Sequence, residues 1–174
     1  QVVDIEIPEP ITFEASPGGG NSVAEAAHLL SQARNPVLLN GAGVVLSKGG
    51  IAASMALAER LEAPVCVGYQ HNDAFPGSHP LFAGPLGYNG SKAAMELIKD
   101  ADVVLCLGTR LNPFSTLPGY GIDYWPKDAA IIQVDINADR IGLTKPVTVG
   151  IVGDAKQVAE GILSKLAPEA GDAD

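Results

Sequence analysis

Short, continuous apolar runs punctuate the chain: Val37-Leu-Leu39, Pro64-Val-Cys-Val67, Val103-Val-Leu-Cys-Leu107, Ala130-Ile-Ile-Gln-Val134 and Val147 to Val152. They are rich in β-branched residues and end at Gly, Asn or Asp, so they read as strands. Runs this apolar suit strands buried on both faces, as in a parallel sheet covered by helices. The spacing predicts strands at 37–40, about 64–68, 103–108, 130–135 and 147–152. Helices are predicted between and around them, from Asn21 or Ser22 to about Arg34, about 50–61, 91–99 and 154–166. Asn21 or Ser22 is the predicted cap of the first, with Glu25 near its positive end, and Pro36 stops it. Residues 69–88, dense in Gly, Pro and His, are predicted to be irregular. A loop of about twenty residues holding the only Trp is expected between strands 103–108 and 130–135.

Strands alternating with helices imply an α/β fold. The expected architecture is three-layer α/β/α around a five- to six-stranded, mostly parallel, Rossmann-like sheet, with a right-handed crossover in its first β-turn-α-β unit. Residues 1–20 read as an extended interdomain linker, because Pro8, Pro10, Pro17 and Gly18 to Gly20 forbid a helix. The folded domain is expected over 21–167, and 168–174 reads as a disordered tail or linker. There is no internal repeat.

Charge and composition narrow the partners. The chain has 174 residues, a net charge of −9 and 47% hydrophobic residues, which rules out a disordered chain and permits a self-standing core. Phosphate-backbone binding needs clustered Lys and Arg, so a nucleic-acid partner is not expected. Repulsion from anionic lipid and the absence of an apolar run near ~18 residues argue against a membrane partner. Cys66 and Cys106 lie inside apolar runs without a CxxC pairing, as buried free thiols do, and a cytoplasmic location is expected.

Candidate chemistry gathers where the strands end. In open α/β sheets ligands lie outside the carboxyl ends of the strands. Gly41-Ala42-Gly43 follows a strand and precedes a helix, the context in which backbone N–H groups approach an anion; a tight turn without a ligand gives the same pattern. The third position of GxGxxG is Leu46, and no acid ends the second strand, which argues against a standard NAD site. Gly108 and Arg110 close another strand, and the guanidinium offers a rigid fork to phosphate oxygens or else makes a surface ion pair. Asp135 can accept from ribose hydroxyls or cap the following turn. Asp154 carries the same two alternatives. His28, His71 and His79 share no metal-ligand spacing. His71-Asn-Asp73 is polar enough for acid/base work, or forms a hydrogen-bonded loop. No complete catalytic set is present.

Six segments occur in a telling order: Pro36-Val-Leu-Leu-Asn-Gly-Ala-Gly43, Ala74-Phe-Pro-Gly-Ser-His-Pro-Leu81, Gly84-Pro-Leu-Gly87, Ala101 to Arg110, Ile131-Ile-Gln-Val-Asp-Ile136 and Val152-Gly-Asp-Ala155. From about Asn21 to Leu166 the chain thereby resembles the central domain of thiamine-diphosphate-dependent enzymes of the acetohydroxyacid synthase and pyruvate oxidase type. Asn72 to Pro76, Leu86 to Met95 and Gly121 to Lys127 look most like an acetyl-transferring member. The resemblance implies flanking domains in the same polypeptide that hold thiamine diphosphate and Mg2+, a homo-oligomer, and no activity in this piece alone. It also implies a nucleotide site at Gly41, Ala42, Gly43, Gly108, Arg110, Asp135, Ile136, Asp154 and Ala155, open to an ADP-like nucleotide or a coenzyme A derivative. Flavin-binding relatives carry a second arginine where this chain reads Leu111-Asn-Pro-Phe114, and Gly-Met-His-Gly where it has Gly87-Tyr-Asn-Gly90. Those departures argue against FAD. A domain that only spaces its neighbours is the remaining implication.

Overall fold

The structure is a computed structural model and describes residues 16–166. Most of the arm expected over 1–20, and the tail over 168–174, lie outside the described residues. Six strands, β1 (Pro36–Asn40), β2 (Val65–Val67), β3 (Phe82–Pro85), β4 (Val103–Leu107), β5 (Ala130–Asp135) and β6 (Val149–Val152), form one sheet in the order β3-β2-β1-β4-β5-β6. Every neighbouring pair is parallel. The chain winds outward from β1 to β3, crosses back to β4 beside β1, and winds out again to β6. The sheet therefore reverses direction between β1 and β4, the switch point at which ligands bind in such sheets.

Alternate residues of the buried strands serve two cores. Leu38, Val65, Val67, Leu105, Leu107, Ile132 and Val134 face helices α1 (Gly20–Gln32), α3 (Gly50–Leu61) and α5 (Ala155–Leu163), meeting Leu30, Leu57, Val158 and Ile162. Val37, Leu39, Cys66, Val104, Cys106 and Ile131 face the opposite way, against Ala94, Met95 and Ile98 of α4 (Lys92–Lys99). Among the described residues, α4 is the α-helix that packs on that side. The rest of its cover is the loop after β4, which contributes Leu111 and a fully buried Tyr124. The Tyr124 hydroxyl donates to the Ser115 carbonyl at 2.9 Å, so the ring is buried without an orphaned polar group. Three layers are thus present, the second being half irregular.

Several local expectations need correction. Helix α1 begins at Gly20, with Gly19 at the cap position and no side-chain cap, so neither Asn21 nor Ser22 caps it. Packing sets the entry instead: Gly18 lies so close to Ile151 and Val158 that a Cβ there would stand 2.6 Å from Ile151 Cγ2. The segment 69–88 contains β3, which Gly84 and Pro85 concealed; an edge strand tolerates a proline because one side needs no ladder bond. A short helix, α2 (Ala42–Leu46), occupies the expected Gly-Ala-Gly turn. Strand β6 alternates buried and exposed residues, as befits an edge, and is not covered on both faces.

Helix α4 is capped as its sequence suggests, Ser91 Oγ accepting from Ala94 N. Asp102 ties α1 to the sheet: its carboxylate accepts from the amides of Arg34 at 2.7 Å and Asn35 at 3.0 Å. Desolvation pushes its carboxyl up, but these amides, together with those of Asp102 itself and Val103, outweigh that and hold it below the usual value.

Candidate functional site

A cleft of about 570 Å³ opens at the carboxyl edge of β1, β4, β5 and β6. All nine residues singled out from the sequence line it: Gly41, Ala42 and Gly43 after β1, Gly108 and Arg110 after β4, Asp135 and Ile136 after β5, Asp154 and Ala155 after β6. Parallel strands make this convergence inevitable, since each ends on the same side of the sheet. The volume falls in the range of small-molecule sites, ~300–1,000 Å³.

The glycines pack the turns after β1 and β4 against each other. Gly41 N donates to Leu107 O at 3.0 Å and Gly43 N to Gly108 O at 2.8 Å. A Cβ on Gly43 would lie 2.6 Å from Gly108 Cα, and one on Gly108, where φ is +60°, would lie 2.7 Å from Gly43 Cα. The turns after β1 and β4 thus pack backbone against backbone. Two of the three amides in Gly41-Ala-Gly43 are turned onto β4 and are not free for an anion. Ala42 N, at the first position of α2, has no acceptor among the described residues.

The acidic positions are similarly engaged in part. Asp135 Oδ1 accepts from Asn137 N at 2.9 Å, and Asn137 in turn caps the 3-10 turn Ala138–Arg140. One oxygen of Asp135 thereby shapes the turn, leaving the other for a hydroxyl donor. Asp154 Oδ1 caps α5 through Gln157 N at 3.0 Å and accepts from Ser47 Oγ at 3.0 Å, while Ser47 Oγ accepts from Lys156 N. Asp154 is therefore a cap that also joins α5 to the turn after α2.

Arginines supply the positive charge. Arg110 follows Gly108 on a turn that bends sharply: Leu111 is held at φ +54° with its side chain 1% exposed. A bulky residue in that region costs about 1–2 kcal/mol, here offset by burial of the leucine, and the turn leaves Arg110 outward in the cleft. Arg140, which sequence reasoning missed, lines the same cleft from the turn after β5. Gln133, buried in β5, joins the two loops. Its Nε2 donates to Thr109 O and to Arg140 O, each at 3.1 Å, and its Oε1 accepts from Gly142 N at 2.8 Å. A lone polar residue inside the apolar run Ile131-Ile-Gln-Val was the available signal, since buried amides are hydrogen-bonded to something specific. Neither arginine has an ion-pair partner among the described residues.

Apolar rims complete the site. Leu46 is 84% exposed and Ile136 62% exposed, both on the cleft wall. His71 and Gln70 line the far side near Gly68, and His71 Nδ1 stands 3.9 Å from Asp73. His79 lies away from the cleft, paired with Glu59 at 3.0 Å. Cys66 and Cys106 are buried free thiols; burial pushes the Cys66 thiol up to about 12 and raises Cys106 as well, so neither supplies a thiolate. Among the described residues no group of His, Cys, Asp and Glu is arranged to hold a metal ion, and no helix is long and apolar enough to cross a membrane. A nucleotide fits these donors only in part, through arginines, one carboxylate oxygen and apolar walls rather than through a glycine turn.

Comparison with known proteins gives this geometry a family context. Residues 23–162 match the family described as thiamine pyrophosphate enzyme, central domain. The chain is 75% identical over 173 residues to a probable sulfoacetaldehyde acetyltransferase of Rhizobium meliloti, covering 99% of this chain and 29% of that protein. It is 73% identical to a sulfoacetaldehyde acetyltransferase of Roseovarius nubinhibens, covering 100% of this chain and 29% of the relative. A probable acetolactate synthase large subunit of Methanocaldococcus jannaschii is 36% identical over 83% of this chain and 24% of that protein. In fold, the chain superposes on benzoylformate decarboxylase from Polynucleobacter necessarius with a TM-score of 0.73 at 22% identity, over 95% of this chain and 30% of that one. The chain spans less than a third of the length of each of these relatives.

Proposed function

The chain belongs to the thiamine pyrophosphate enzyme central-domain family, and on that premise we propose that it is the central part of a sulfoacetaldehyde acetyltransferase. The observation that carries this is identity of about three quarters, sustained along essentially the whole chain, to proteins of that name. In the proposed full-length enzyme, sulfoacetaldehyde and phosphate yield acetyl phosphate and sulfite. Thiamine diphosphate and Mg2+ are proposed to belong to flanking domains of the same polypeptide, for which relatives of which this chain covers 29% leave room. Residues 21–167 are then the central domain, 1–20 an interdomain linker and 168–174 a tail or linker. The whole enzyme is proposed to be a cytoplasmic homo-oligomer, and this section alone to be inactive. The assay is sulfite release from sulfoacetaldehyde by the full-length protein with thiamine diphosphate, Mg2+ and phosphate. Turnover of pyruvate without any sulfite would instead assign an acetohydroxyacid synthase-like activity, and release of CO2 from oxalyl-CoA an oxalyl-CoA decarboxylase-like one.

The cleft favours a second, compatible role as a nucleotide site of the ADP or coenzyme A class, lined by Gly41, Ala42, Gly43, Gly108, Arg110, Asp135, Ile136, Asp154 and Ala155. FAD is disfavoured by the sequence departures at Leu111 to Phe114 and Gly87 to Gly90. Calorimetry of the full-length protein with ADP and with FAD tests this. No heat at millimolar ligand would leave the domain as a spacer whose cleft is a relic of its topology.

A further inference from the structure

We propose that the loops after β3 and β4 form a docking face, centred on Tyr88, Phe114, Leu117 and Tyr120, against which a flanking domain of the same polypeptide packs. This rests on the full-length enzyme proposed above and adds which surface of the central domain meets its neighbour. The chain holds four Tyr and four Phe, yet Tyr88, Phe114 and Tyr120 are exposed together with Leu117, Tyr88 at 72% and Tyr120 at 56%. These side chains belong to one patch. Tyr88 N donates to Phe114 O at 3.2 Å, the Phe114 ring centre is 6.4 Å from that of Tyr69, and a Cβ on Gly119 would stand 3.7 Å from Gly87 O. The patch is anchored from beneath: Ser115 and Thr116 are buried, and Ser115 O accepts from the buried Tyr124 hydroxyl. Tyr and Phe gather at the centres of protein interfaces, whereas a monomer rarely leaves a large apolar patch in water.

Tyr120 gives the clearest sign of a partner. Gly119 and Ile122 exchange backbone hydrogen bonds of 3.2 and 2.8 Å, closing a two-residue turn whose central residues, Tyr120 and Gly121, have φ of +54° and +77°. Asn-Gly fills such a turn readily, while a bulky residue there is an outlier. Leu111 bears the same strain, but its side chain is buried. Among the described residues the Tyr120 ring gains the Lys92 ammonium, 4.9 Å from its centre, and stays half in water. Strain left uncompensated inside the domain is met by a contact made outside it. This chain covers 29% of relatives 75% and 73% identical to it, so more than two thirds of such a protein can supply that contact. A second copy of the face fits less well. Pairing it with itself would gather two Lys92 side chains, and Lys92 has no carboxylate partner among the described residues. Asp123, the acid nearest Tyr120 in sequence, is already held by Lys127 at 3.4 Å.

The test is hydroxyl-radical footprinting of the full-length protein, with buried Tyr124 as internal reference. It is joined to photo-crosslinking from p-benzoylphenylalanine placed at position 120, in a mixture of isotopically light and heavy chains. Tyr88 and Tyr120 are expected to label within about threefold of Tyr124, and position 120 to crosslink within one chain to peptides outside residues 1–174. Faster labelling of either ring would overturn the docking face. Crosslinks between light and heavy chains would put a second copy in the place of the flanking domain, and crosslinks confined to residues 1–174 would leave the face without an outside partner; either result overturns the proposal. Tyr120→Asn separates docking from a local role in the turn. Although Asn suits the turn better, this variant is expected to raise Tyr88 labelling by about threefold or more, and a Tyr88 rate equal to that of the wild type would count against the face. Sulfite release by the same preparation reads the proposed activity separately. Protected rings in a protein that releases no sulfite would sink the acetyltransferase reading and still support the docking face.

Discussion

Gly43 and Gly108 are interchangeable with no other residue, because each occupies the space in which the other's Cβ would stand. Gly43→Ala is expected to destabilise the protein by about 1–3 kcal/mol, the usual cost of overpacking, measured by urea denaturation. An unchanged midpoint would show that the two turns separate easily. Tyr124 is a second residue whose surroundings determine its behaviour. Desolvation beneath the loop pushes its hydroxyl up to about 12, with the Cys66 sulfur adding to the shift against a hydrogen bond at Gly87. The folded protein then holds that proton more tightly than the unfolded chain, so the contribution is complete below pH 10 and is lost as pH rises from there toward 12. Tyr124→Phe is expected to lose about 1 kcal/mol at neutral pH, through the bond to Ser115. Its stability should also decline less steeply than that of the wild type above pH 10; parallel slopes would contradict the assignment.

Connections, rather than strands, carry the distinctive features at the scale of elements. Five of the six strands were readable as apolar runs, but β3 was not, since Phe82-Ala-Gly-Pro85 has poor strand propensity and forms only where β2 offers an edge. The loop after β4 takes the place of a covering helix, a role no periodicity announces because its buried residues, Leu111, Ser115 and Tyr124, follow no regular spacing. Asp102 shows how one carboxylate can join two elements. With its folded pKa depressed, its contribution is complete above the unfolded value near 3.8 and is lost as pH falls through the lower folded value. Asp102→Asn leaves one of the two amides without its acceptor. It is expected to cost about 1–2 kcal/mol at neutral pH and to flatten the acid limb of a thermal-stability profile. An acid limb identical to that of the wild type would exclude this clamp. Gln133→Leu tests the other cross-link. It should preserve the apolar packing of β5 yet free the backbones of Thr109 and Arg140, seen as faster amide exchange in residues 136–142 and 109–112.

At the scale of the whole molecule, the ordered segments pointed to the family that the comparison then found. The parallel three-layer architecture followed from fully buried strands alternating with helices. All nine candidate residues also converged on one cleft, because strand ends in a parallel sheet share a side and the residues just past them can be read directly from the chain. Arg140 escaped that logic, lying five residues past its strand on a turn whose direction depends on Asp135, Asn137 and Gln133 together. The local pattern of apolar and turn residues was enough to determine the strands, most of the helices and the edge at which a ligand would sit, since these depend on neighbours in the chain. Which amides are left free, which arginines share a cleft and which loop stands in for a helix depend on contacts between residues tens of positions apart. Tertiary packing alone decided those, because a donor's availability is set by whatever folds against it.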